Sequence, residues 1–91
     1  KKCIRDAFFH ECGHALDAES SMISESAEFK TVIQQESKLF REKYGYESAY
    51  YTAVNAEFFA ELFSQYMINP TQLKEICPNS FQFIDNAVSS L

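Results

Sequence analysis

Ile4-Arg5-Asp6-Ala7-Phe8-Phe9-His10-Glu11-Cys12-Gly13-His14-Ala15-Leu16-Asp17-Ala18 contains no proline and no alternation of apolar with polar residues. Ile4, Ala7, Phe8, Cys12, Ala15 and Leu16 recur at helical intervals, which predicts a helix from about Cys3 to Ala18. Ser20-Ser21 ends it. A second helix is expected from an N-cap at Ser24 or Ser26, carrying Phe29, Val32, Ile33, Leu39 and Phe40 to a stop near Gly45. Residues Tyr46 to Val54, with Tyr50 and Tyr51 at the centre, carry no helical stripe and read as a loop. A third helix, N-capped by Asn55, runs to about Ile68, where Asn69-Pro70 stops it. A short turn from Pro70 to Ile76 and a last helix from about Asn79 to Val88 follow. No stretch reads as a strand, so the expected fold is all-α with about four helices.

Composition narrows the function. At 91 residues the chain has room for one hydrophobic core and no more. Eight Lys and Arg against 13 Asp and Glu leave a net charge of −5 and no basic stripe, so nucleic acid is not an expected partner. The longest apolar runs, Ala7-Phe8-Phe9 and Tyr66-Met67-Ile68, are far shorter than the roughly 20 residues of a membrane-spanning helix. Lys1-Lys2 leads into a charged helical pattern and not into an apolar signal segment, which suggests a cut inside a longer protein. Cys3 and Cys12, on one helix, lie about 13 Å apart along its axis and cannot form a disulfide. Cys77 leaves the redox compartment open.

The first helix also carries chemistry. His10-Glu11-Cys12-Gly13-His14 is the HExxH pattern, and its two histidines are the only ones in the chain. Chance places two histidines four apart behind such a glutamate about 0.2% of the time at this composition, so coincidence explains the motif poorly. Side chains four apart stand one above the other on a helix, so both imidazoles can reach one zinc ion at about 2.0–2.1 Å. Glu11, about 100° round the helix, is then placed as a general base for zinc-activated water. Such sites bind metal less well in acid, because imidazole ligates only as the neutral base.

A third protein ligand is needed. The continuation HExxHxxGxxH fails, with Asp17 in place of the glycine and Ser20 in place of the third histidine. Asp17 shares the histidine face but lies about 10 Å along the axis from His10, which leaves it as an outer acceptor or a helix-end polar residue. The third helix offers Glu57 and Glu61, four apart among Phe58, Phe59, Leu62, Phe63 and Tyr66. Carboxylates on so apolar a helix are costly unless paired. One can bind zinc while the other accepts the remaining N–H of a ligand histidine, the competing reading being a solvated helix edge. Cys12, two residues from His10, is expected to point away from the metal as a small buried apolar residue.

Three separated blocks, Phe8 to Asp17, Asn55-Ala56-Glu57-Phe58-Phe59-Ala60-Glu61-Leu62-Phe63 and Pro78-Asn79-Ser80-Phe81-Gln82-Phe83-Ile84, resemble the catalytic domain of the anthrax lethal factor family. That family is similar to the clostridial Pro-Pro endopeptidases. The resemblance covers nearly the whole chain and implies a secreted zinc metalloendopeptidase, acting on a peptide or protein substrate in host cells or outside the bacterium. It implies His10, His14 and Glu57 as zinc ligands, Glu11 as general base and Glu61 as partner of a ligand histidine. It implies Tyr50, seven residues before Glu57, as the phenol that supports the oxyanion or the leaving amine, with Tyr51 the alternative. By the same resemblance, residues 1–91 are the C-terminal portion of a catalytic domain whose substrate-binding sheet precedes them, in a parent with further domains. The rival expectation is a degenerate toxin module that binds a partner without catalysis.

Overall fold

The computed structural model describes residues 4–45 and 54–90. In chain order these form α1 (Ile4–Glu19), a 3-10 turn (Ile23–Glu25), α2 (Ala27–Tyr44), α3 (Asn55–Ile68), α4 (Pro70–Ile76) and α5 (Pro78–Ser89). No strand occurs among the described residues, and the chain is all-α as its periodicity requires. Among the described residues the α-helices number five because Pro70–Ile76, expected as a turn, is helical. Its signal is local: Asn69 accepts the Gln72 N–H at 3.2 Å as N-cap, and Pro70 follows at the first helical position, where its missing N–H costs nothing.

The other boundaries have equally local causes. After α1, Ser21 N–H bonds to Ala18 at 3.2 Å and Met22 N–H to Asp17 at 2.8 Å, the paired bonds of a Schellman stop. This stop is built without glycine, so Ser21 and Met22 both take φ of 59°. Ser26 caps α2 by accepting the Phe29 N–H at 3.1 Å, which decides between the two candidate caps. Gly45 ends that helix at φ 71°, with Arg41 and Lys43 in the last turn beside its unpaired carbonyls. Asn55 is the first helical residue of α3 and not its cap; Val54 occupies the cap position and offers no side-chain bond.

α3 lies at the centre. Phe58, Phe59, Ala60, Glu61, Leu62 and Ser64 are all buried, too many for a single stripe, so the helix is covered on several sides. Phe58 and Phe59 pack on Phe29 of α2 with ring centroids 5.7 and 5.6 Å apart, and Phe40 meets Phe58 at 5.3 Å. Leu73 of α4 and Ile84 of α5 are fully enclosed in the same core. A buried polar cluster joins α2 to α5: the Glu36 carboxylate of α2 accepts Ser80 N–H and Oγ–H at 2.7 Å each and Asn79 N–H at 3.0 Å. An acid from one helix thereby caps the N-terminus of α5, whose own cap residue, Cys77, offers no side-chain bond.

Candidate metal centre

α1 covers one side of α3 and runs antiparallel to it. Ser64 reaches the Asp6 carbonyl at one end of the seam at 3.4 Å, and Glu57 approaches His14 at the other. His10 is buried at 8% exposure, although it lies on an outer helix, because its ring is pressed into this seam. The two imidazoles stand almost perpendicular, at 80°, with centroids 4.8 Å apart.

Three potential ligand side chains meet between the two helices. His10 Nε2 and His14 Nε2 are 3.2 Å apart, Glu57 Oε1 lies 2.9 Å from His10 Nε2, and Glu57 Oε2 lies 3.3 Å from His14 Nε2. Two ligands at about 2.0–2.1 Å from a tetrahedral zinc are about 3.3–3.4 Å apart, so two of these spacings match and the third is slightly tight. His10, His14 and Glu57 are the one such cluster among the described residues whose ligand atoms all lie within 4.8 Å of one another.

Glu61 supplies a second argument for a cation. At 1% exposure its carboxylate has almost no water, and its Oε2 lies 2.8 Å from His10 Nδ1. A carboxylate only accepts, so the proton belongs on Nδ1, and Nε2 presents a lone pair to the centre. That lone pair then lies 2.9 Å from a Glu57 carboxylate oxygen and 3.2 Å from His14 Nε2, which donates to it only in the tautomer that carries its proton there. A divalent ion between them would meet two nitrogens and a carboxylate, the donor set that suits zinc.

The remaining sequence candidates fall as follows. Glu11 is exposed on α1 and its side chain has no hydrogen bond or ion pair among the described residues, so its carboxylate is free. Tyr50, Tyr51 and Cys3 lie outside the described residues. Asp17, expected as an outer acceptor or an idle helix-end residue, takes Ser24 N–H at 2.8 Å and Ser24 Oγ–H at 2.7 Å and fastens the 3-10 turn to α1. Cys12 is a free thiol, half-buried and not enclosed. Glu36 was not legible as a special residue, since its partners lie 43 and 44 positions away. The one available signal was an acid at i+7 from Phe29 and four before Phe40, inside an otherwise apolar stripe.

The profile of the family described as anthrax toxin lethal factor, N- and C-terminal domain, matches residues 4–87. The chain belongs to the anthrax toxin lethal factor family. Searches of curated proteins and of solved structures return no match. The matched span takes in both histidines, Glu57, Glu61 and every described helix through Ala87 of α5. None of its described helices is long and apolar enough to cross a membrane.

Proposed function

We propose that this lethal-factor-like domain is the zinc-binding part of a secreted metalloendopeptidase that hydrolyses peptide bonds. The observation that supports this reading best is the convergence of His10, His14 and Glu57 at 2.9–3.3 Å from two separate helices. Zinc held there supplies Lewis acidity towards a scissile carbonyl and lowers the pKa of water towards 7. The chain's own residues do the rest. Glu11 accepts the proton of the attacking water on a carboxylate oxygen and passes it to the departing amine, so that water and amide become acid and amine. Glu61 holds the proton on His10 Nδ1 and keeps Nε2 turned to the centre. Tyr50 donates its phenolic hydrogen to the oxyanion, a contact worth about 2.7–4 kcal/mol by analogy with other single donors.

The family leaves room for a second reading, a toxin module that docks a partner without catalysis, because its description takes in the N-terminal as well as the C-terminal domain of lethal factor. Metal analysis separates the two. The purified chain is expected to hold about one zinc, lost or weakened in His14→Ala and in Glu57→Ala. Glu11→Gln keeps the metal and abolishes peptide hydrolysis by the full-length parent. A wild-type chain without zinc at neutral pH leaves the docking module.

A further inference from the structure

The two glycines of this chain serve different needs. Gly45 takes φ +71°, which a side chain resists, and a Cβ there would meet nothing within 4 Å. Gly13 has no such backbone excuse. It sits in mid-helix, where glycine costs roughly 0.5–1 kcal/mol relative to alanine, so α1 on its own would be better off without it. The reason lies across the seam. A Cβ built on Gly13 would stand 2.8 Å from the Cα of Ala60, 3.1 Å from its carbonyl oxygen and 3.1 Å from Phe63 Cβ. Two of these three obstacles are backbone atoms of α3, which cannot swing aside.

We propose that Gly13 is a positioning residue of the metal site: its bare Cα sets the α1–α3 separation at which Glu57 reaches both histidines. This rests on the zinc reading above. Ordinary contact begins at 3.4 Å, so a methyl group at position 13 must drive the helices apart by about 0.6 Å at that point. His14 is the next residue and Glu57 lies three before Ala60, less than one turn away, so the gap opens at the ligands themselves. Sites of this kind tolerate about 0.5 Å of displacement, and metal–ligand distances about 0.2 Å. Glu57 is then the ligand that withdraws, because the two histidines travel together on α1.

Cobalt(II) titration of the full chain tests this, since four-coordinate cobalt absorbs far more strongly in the visible than six-coordinate cobalt. Wild type is expected to give the intense spectrum. Gly13→Ala, with its far-ultraviolet helical signal intact, is expected to give a weak one and at least tenfold weaker binding. Ser64→Val wedges the same seam from the α3 side and is expected to act likewise, which keeps the test alive if Gly13→Ala does not fold. Leu73→Ala, which loosens the core away from the seam, is expected to lower the melting temperature and leave the cobalt spectrum unchanged. A folded Gly13→Ala with wild-type affinity and spectrum overturns the role of Gly13 alone. Equal loss in Leu73→Ala also overturns it, because general loosening would suffice. A wild-type chain that never gives the four-coordinate spectrum overturns the zinc reading, and this proposal with it.

Discussion

At the scale of single residues, the site depends on which nitrogen of His10 carries its proton. Glu61, enclosed on a helix whose neighbouring residues are phenylalanine, alanine and leucine, meets the imidazole at 2.8 Å. Glu61→Gln keeps the shape but replaces a charged acceptor by a neutral amide that can present its NH2 face instead. It is expected to lower zinc affinity about 10–100-fold with the helical spectrum unchanged, measured by competition with a chromogenic chelator. Unchanged affinity would show that His10 needs no such anchor. The residues of this centre differ in how legible they were. His10 and His14 follow from spacing on one helix. Glu57 and Glu61 follow from a pair of acids four apart on an apolar helix, but that spacing alone does not say which one faces the centre. The contact distances distinguish them, with Glu57 near both Nε2 atoms and Glu61 near Nδ1. Tyr50 rests on resemblance only, because the sequence from Tyr46 to Val54 carries no helical stripe that could place it.

At the scale of elements, the least obvious feature is the capping of α5 by Glu36. Three donors, two of them backbone N–H groups, converge on one buried carboxylate. Glu36→Ala leaves all three without that acceptor and is expected to cost about 2–3 kcal/mol, read from the urea midpoint. Glu75→Ala, on the exposed side of α4, should change stability by less than about 0.5 kcal/mol. Comparable effects in the two variants would mean that the cap contributes nothing beyond surface charge. Helices with capping signals in their own sequence, such as Ser26 before α2 and Gly45 after it, were legible. So was the stop at Asn69-Pro70, although its second meaning, the start of α4, was not: seven residues are too few to establish a period. Contacts such as Glu36 with Ser80 are absent from any local window and depend on how α2 and α5 meet.

At the scale of the whole molecule, the all-α architecture was legible because helical periodicity recurs through most of the chain, and Phe29, Phe40 and Phe83 build the core by meeting Phe58 and Phe59 of α3. That core also governs the response to alkali. Burial pushes the Cys77 thiol up to about 12 from 9.0, with the Glu36 charge adding to it. Burial likewise pushes the Tyr44 phenol up to about 12 from 10.0, with Cys77 as the smaller cause. In both, the unfolded chain releases its proton first, so above pH 9 it binds fewer protons than the folded one and gains in relative stability. The metal-free protein is expected to lose stability as pH rises from about 9 to 12, and Cys77→Ala should remove the earlier part of that slope. A urea midpoint that stays level to pH 11 would mean that these groups ionise without hindrance in the folded state.

The central claim, that two helices contribute ligands to a single zinc ion, is tested most directly by X-ray absorption at the zinc edge of the loaded chain. The expected result is a shell of about four nitrogen and oxygen neighbours at about 2.0–2.1 Å, with the outer-shell scattering of two imidazoles, and the loss of one neighbour's signature in Glu57→Ala. A sulfur neighbour at about 2.3 Å, or a shell without imidazole scattering, would contradict it.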